Sequence, residues 1–351
     1  MSRRTLSLAV AAVLLVVLTI VAALRPVPYV AMRPGPVQDT LGALGGQDIV
    51  EISGRRVYPT SGQLDLTTVS VTSPGARLSL AEALYAWVDP ERVVLPRDAV
   101  YPPQQSVRDA EEQSSVEMVV SQDAAVVAAL TALRIEVDYD VRVGDVAADS
   151  PARGHLESRD LILAVEGQPV QDATDVGELL QEVPAGDAAR LEIRRDGERR
   201  MVSTPTTAAP DDPARTIVGI TVANDPDFPF DVSIELGDRI GGPSAGLMFA
   251  LAIVDKLSPG ALTGGLHVAG TGEIDAEGRV GAIGGIQQKV AGAAEAGASV
   301  FLVPARNCRE ATSAESADQM RLVRVRRLSQ AVDALEDLAA GDERAVPTCR
   351  S

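Results

Sequence analysis

Gly284-Gly285-Ile286-Gln287-Gln288-Lys289-Val290-Ala291 opens an Ala-rich helical stretch, and its lysine is one of only two in the chain, Lys256 being the other. Lysine and arginine together number 32, so arginine carries the ordinary positive charge. A lysine kept here suggests a base, because a buried amine can lose its proton whereas a guanidinium cannot. An exposed helical lysine usually has an acid three or four residues away. Around Lys289 those positions are Gly285, Ile286, Gly292 and Ala293. Ile286, Val290, Ala293 and Ala294 form an apolar stripe beside it, and burial there lowers an amine pKa. The alternative is an apolar stem snorkelling to water. Lys256 instead ends a helix beside Asp255, where a cation complements the helix dipole.

Forty-five residues before Lys289 stands Ser244, within Gly241-Gly242-Pro243-Ser244-Ala245-Gly246. The glycines permit close backbone approach, and amides at a helix start, those of Gly242 and Ala245 here, are suited to holding an oxyanion. The competing role for Ser244 is a helix N-cap. A Ser-His-Asp triad is disfavoured, since the only histidines are His155 and His267, far apart in sequence. Neither a metal-ligand cluster nor a Walker motif occurs, so no metal, cofactor or ATP is expected.

The chain has 351 residues, a net charge of −17 and 3% aromatic residues. That charge opposes nucleic-acid binding. Leu6–Leu24 (LSLAVAAVLLVVLTIVAAL) contains no charged residue and is long enough to span a bilayer. Arg3 and Arg4 precede it, favouring a cytoplasmic N-terminus with everything after Arg25 outside. A cleaved signal peptide is the alternative, and it too exports the rest. In an exported protein Cys308 and Cys349, the only cysteines, read as one disulfide.

The expected organisation is α+β in five parts. Residues 1–25 form a stub and transmembrane anchor, and 26–123 an extracytoplasmic region of no assigned module. Residues 124–205 form a β-rich domain and 206–215 a Pro/Thr/Asp linker, followed by a compact α/β domain over 216–351. Within 124–205, the Ser150-Pro151-Ala152 turn, Asp160-Leu161-Ile162 and Gly167-Gln168-Pro169-Val170 resemble the PDZ domain of exported bacterial proteases. Arg159 stands where that family usually has glycine. The resemblance implies a groove that adds a peptide as an extra strand.

Gly242-Pro243-Ser244-Ala245-Gly246, Thr271-Gly272-Glu273-Ile274, Gly284-Gly285-Ile286-Gln287-Gln288-Lys289 and Val303-Pro304 with Asn307 resemble, in order and spacing, the proteolytic domain of Lon proteases. With the anchor and the PDZ-like segment, the chain is similar to membrane-anchored, PDZ-containing Lon-like proteases of the YlbL-type group. The resemblance implies Ser244 as nucleophile, Lys289 as general base and Thr271 as the hydroxyl that positions the lysine. It further implies ATP-independent cleavage of unfolded or C-terminal polypeptide segments outside the membrane, by a homo-oligomer. Gly241 departs from an acidic residue often found there. The other reading is a non-catalytic, membrane-tethered PDZ scaffold.

Overall fold

A computed structural model describes residues 3–102, 106–237 and 240–349. Met1 and Ser2 of the expected stub fall outside these. The first element, α1 (Arg3–Ala23), is a 21-residue helix with mean hydropathy 2.9 and no buried residue. At 1.5 Å per residue it is about 30 Å long, the thickness of a bilayer core. Strands β1 (Tyr29–Asp39), β2 (Val50–Ser53) and β3 (Gln63–Val71) follow, then α2 (Leu80–Val88), β4 (Val93–Pro96) and α3 (Val107–Ala132). Ser79 with Glu82 and Ser106 with Asp109 close reciprocal capping boxes that start α2 and α3.

The chain then enters a second compact unit, residues 136–229. Here β5 (Asp138–Val146), β6 (Leu161–Val165), α4 (Ala173–Leu180), β7 (Ala188–Arg195), β8 (Glu198–Pro205) and β9 (Ile220–Asp227) build one antiparallel sheet in the order β8-β7-β6-β5-β9. Its core is aliphatic, with Val143, Ile162, Val176, Leu191 and Ile193 buried. Arg159 adopts φ +76°, the left-handed region in which glycine is favoured, and its N–H donates to Val143 O at 2.8 Å. The turn keeps its glycine-like shape at a steric cost of about 1–2 kcal/mol.

From Phe230 the chain returns to the first unit through β10 (Asp231–Ile234), α5 (Gly246–Leu257), β11 (His267–Gly270), α6 (Ile286–Glu295), β12 (Val300–Pro304), β13 (Arg321–Val325) and α7 (Leu328–Ala339). A mixed sheet runs β13-β12-β11-β3-β1-β4. The pairs among β13, β12, β11 and β3 are parallel, whereas β3–β1 and β1–β4 are antiparallel. All five residues of β12 (VFLVP) are buried, as suits the interior of a parallel sheet. Every residue of α5 from Gly246 to Lys256 is buried, so this helix is the centre of the unit. α3 meets the length and composition test for a membrane span, but it packs on α5 with Val126–Leu130 buried.

Three expected boundaries are corrected. Residues 26–123 are no separate module, because β1, β3 and β4 complete the sheet of β11–β13 and α3 covers α5. The last domain does not begin at 216, because β9 pairs with β5 in the other sheet and the chain returns to the first unit only at Phe230. Period-2 patterning specifies a strand but not the sheet it joins. The segment expected as a linker likewise folds within the second unit, where Thr207–Ala208 pairs with Thr216–Ile217.

Cys308 and Cys349 are bonded, with Cα atoms 5.1 Å apart. Cys349 N–H donates to Leu322 O and Arg324 N–H to Pro347 O, laying the tail along β13. Closing a loop of 41 residues contributes about 4 kcal/mol by the chain-entropy estimate. Cys349→Ser is expected to lower the thermal unfolding midpoint by several degrees, and a reducing agent should do the same to the parent chain alone. Equal midpoints with and without reductant would remove the bridge from the stability account.

Candidate active site

Ser244 lies in a single 3-10 turn, Pro243–Ala245, that leads into α5. Gly242 precedes the turn at φ +86° and ψ 160°, a backbone conformation open in practice only to glycine. The Ser244 side chain caps neither the turn nor α5. Its carbonyl instead accepts hydrogen bonds from Gly272 N–H at 2.8 Å and Thr271 Oγ1 at 2.9 Å. Leu247 N–H donates to Gly272 O at 3.0 Å, so the turn and the 271–274 segment fix each other.

Lys289 sits in the first turn of α6, which begins after Gly285 at φ +67°. A Cβ on Gly285 would lie 2.7 Å from Val69 Cγ1 and 2.9 Å from Met32 Sδ, so glycine lets the helix start against the sheet. Asn307 holds the approach to α6, donating to Ile283 O and accepting from Ile283 N–H, each at 2.9 Å. Lys289 is 2% exposed. Its Nζ donates to Ser244 Oγ at 2.8 Å and to Thr271 Oγ1 at 3.0 Å. No carboxylate forms an ion pair with it among the described residues. Burial lowers its pKa from 10.5 to about 8, and the nearby Glu273 charge partly opposes that shift. In the neutral form the bond reverses, the serine hydroxyl donating to the amine.

The long helix α3 closes the other side. Ser121 Oγ donates to Pro243 O at 2.9 Å, and Gly242 N–H donates to Ser114 O at 3.3 Å. The Gly242 amide, expected to face an oxyanion, is therefore directed at α3 in this conformation. Ala245, the other expected donor, is 5% exposed. A Cβ at Gly241 would stand 2.2 Å from Ser114 Oγ, so a side chain here requires the Ser114 hydroxyl to turn away. Neither Ser114 nor Ser121 carries a sequence signal that links it to Ser244, since each lies more than a hundred residues away.

A cavity of about 290 Å3 opens onto Ser244 and Lys289, bounded by Met118, Ile240 and the Thr67–Val71 stretch of β3. β3 pairs with β11 only as far as Leu66, and Thr67 Oγ1 donates to Gly270 O at 3.1 Å. Beyond it, no strand among the described residues pairs with β3 on that side. An extended chain therefore has a strand edge beside the serine hydroxyl. In the second unit a separate cavity of about 720 Å3 lies between α4 and the edge strand β9, with Val176, Leu180, Ile220 and Val222 in its wall.

The other candidates are structural. Lys256, expected as a helix-end cation beside Asp255, is instead 8% exposed, and its Nζ donates to Asp48 Oδ2 at 2.9 Å and to Val50 O. Its partner lies 208 residues away, so the neighbouring sequence could not reveal it. His267 Nε2 is 2.6 Å from Asp65 Oδ2 across the β11–β3 pair. His155 belongs to the second unit. No cluster of metal-ligating side chains occurs among the described residues.

Comparison with known proteins matches residues 239–336 to the Lon protease C-terminal proteolytic domain and 108–206 to the PDZ domain. The second match includes α3, which packs in the first unit, and stops before β9, which completes the PDZ sheet. A Lon protease of Phenylobacterium zucineum is 35% identical over 105 residues, covering 29% of this chain and 13% of that protein. One of Clostridioides difficile is 43% identical over 63 residues, 18% of this chain and 8% of that protein. A probable periplasmic serine endoprotease DegP-like of Pseudomonas putida is 38% identical over 73 residues, covering 20% and 15%. The chain thus spans less than a sixth of the length of these relatives. Among solved structures, the PDZ domain of the SdrC-like protein of Listeria innocua aligns with a TM-score of 0.22 at 24% identity, over 24% of this chain and 92% of that one. The chain carries a Lon-type proteolytic domain and a PDZ domain.

Two outcomes follow from the environment of Lys289. Below pH 8 a buried ammonium costs the folded state about 3 kcal/mol. The unfolded chain keeps that proton up to about 10.5, so the cost is relieved as pH rises from about 8 to 10.5. Lys289→Met should therefore raise the unfolding midpoint at pH 7, with the gain shrinking toward pH 10. A midpoint below that of the parent chain at pH 7 counts against a desolvated amine. Glu273→Gln removes a charge that raises the Lys289 pKa, so any activity limb governed by Lys289 should move to lower pH.

Proposed function

We propose that this chain is a serine endopeptidase in which Ser244 is the nucleophile and Lys289 the general base. The observation that carries the reading is the 2.8 Å contact between Lys289 Nζ and Ser244 Oγ, made by a lysine that is 2% exposed and has no carboxylate partner among the described residues. Neutral Lys289 takes the hydroxyl proton as Ser244 Oγ bonds to the carbonyl carbon of a peptide lying along the β3 edge. The tetrahedral adduct collapses with cleavage of the C–N bond, and the Lys289 ammonium gives its proton to the leaving amine. Lys289 then takes a proton from water as its oxygen bonds to the acyl carbon, and returns it to Ser244 Oγ as the ester C–O bond breaks and the acid leaves. Thr271 Oγ1, accepting from Nζ and donating to the Ser244 carbonyl, keeps the amine aimed at the hydroxyl. Gly242 N–H reaches an oxyanion only if it leaves Ser114 O, which makes a small shift of α3 part of the reading.

No step needs a nucleotide, and cleavage is proposed to be ATP-independent. The length and exposure of α1 support a retained membrane anchor with the two units outside the membrane. The cavity between α4 and β9 supports delivery of extended polypeptide segments by the PDZ domain.

The test is hydrolysis of an unfolded polypeptide by the purified full chain without ATP. Ser244→Ala and Lys289→Arg should each lower kcat/KM by at least about a thousandfold. The parent rate should rise tenfold per pH unit below pH 8 and level off above it, because the reactive form of Lys289 is the deprotonated one. Turnover by either variant at the parent rate sinks the dyad. Peptide binding with no turnover by the parent favours a scaffold instead.

A further inference from the structure

The sequence of α2, LAEALYAWV, holds a single charge, Glu82, and that carboxylate is folded back on Ser79 N–H and Oγ at 2.8 Å. Only Ala83 and Ala86 are buried. Leu84, Trp87 and Val88 are 53%, 75% and 71% exposed. A helix apolar on nearly every face calls for an apolar surrounding, and a contiguous patch of this kind marks a docking surface. Trp87 is the only tryptophan of the chain.

The position of α2 says what covers it. α1 ends at Ala23, and the next residues are stitched to the start of α2. Val27 N–H donates to Leu78 O and Leu80 N–H to Arg25 O, both at 2.9 Å, and Pro26 bridges Ser79. The exposed face of α2 therefore begins within a few residues of the end of a helix as long as a bilayer core is thick. The charge at this seam runs against that of the molecule. In a chain of net −17, Arg25 and Arg77 are exposed here, and Arg97 Nη1 donates to Ala76 O at 3.0 Å. Arg77 and Arg97 border a recess of about 430 Å3 with Pro26, Val27 and Pro28. Tryptophan and arginine are both enriched at membrane interfaces, the indole among acyl carbonyls and the guanidinium on phosphates.

We propose that α2 lies in the headgroup–acyl boundary of the bilayer that α1 enters, with Leu84, Trp87 and Val88 immersed and Arg25, Arg77 and Arg97 on anionic lipid headgroups. This rests on the reading of α1 as a retained anchor. The cavity at Ser244 and the one beneath α2 share Ser70 and Val71 of β3, so docking sets the protease cleft beside the membrane surface. The substrates it favours are then polypeptide segments close to the membrane.

The test uses the full chain reconstituted into phosphatidylcholine vesicles with and without phosphatidylglycerol, some of the lipid brominated along its acyl chains. Trp87 is the sole indole, so its emission reports α2 alone. The expected result is blue-shifted emission that loses most of its intensity to the brominated lipid, and loses more when phosphatidylglycerol is present. Leu84→Glu with Val88→Glu, at exposed positions, should restore the red, unquenched emission while the chain stays on the vesicles through an alkaline wash. Arg77→Gln should weaken the dependence on phosphatidylglycerol. A wash-resistant parent chain with red, unquenched emission overturns the docking of α2 and leaves the anchor standing. Blue but unquenched emission also overturns it, showing Trp87 covered by protein, as by a second copy. Release of the parent chain by the wash overturns the anchor first and the docking with it.

Discussion

A lysine amine held out of water, with no carboxylate paired to it among the described residues, is the constraint on which the proteolytic unit turns. Desolvation lets the amine be neutral, and so accept a proton, at an accessible pH, and it also costs the folded state about 3 kcal/mol at neutral pH. The surrounding structure supplies the hydrogen bonds that keep Nζ aimed. Gly285 starts α6 against Val69 and Met32, Asn307 pins the preceding loop, and Thr271 ties the amine to the serine carbonyl. Each contact spans two elements, so the pair exists only when the helices, the 271–274 segment and the sheet are assembled together.

The insertion of the second unit explains how the first is completed. Strands β1 and β3 and helix α3 precede the insertion, while β11, α5 and α6 follow it. The serine cavity needs both halves: β3 and Met118 form its wall, and Ser244 and Lys289 its chemical face. α3 bears on the serine turn through Ser114 and Ser121 and leads directly into the PDZ unit at Glu136. The helix that occupies the Gly242 amide is thus also the last element before the PDZ unit.

The two lysines show how far the sequence could be read. Lys289 stood out because no acid sits at helical spacing from it, and in the fold it is buried beside Ser244. Lys256 looked ordinary, yet it is buried as well, with Asp48 as its partner. Local spacing detects partners one helical turn away and is blind to those brought in by the fold. Ser114, Ser121 and the β3 wall were hidden for that reason.

By itself the sequence determined what is local. It specified the capped starts of α2 and α3, the apolar stretch of α1, the glycines that admit left-handed backbone, and the chemistry of a serine in a glycine-rich turn and a lysine on an apolar helix. These depend on neighbours within a turn or two, where sterics and hydrogen bonding are set by the residues themselves. Tertiary structure alone decided that β9 joins the PDZ sheet, that β1, β3 and β4 join the proteolytic one, and that Lys289 meets two hydroxyls while Lys256 meets a carboxylate. Strand partnership, desolvation and ion pairing are properties of surfaces that meet across a hundred residues or more, and a linear pattern does not encode which surfaces meet.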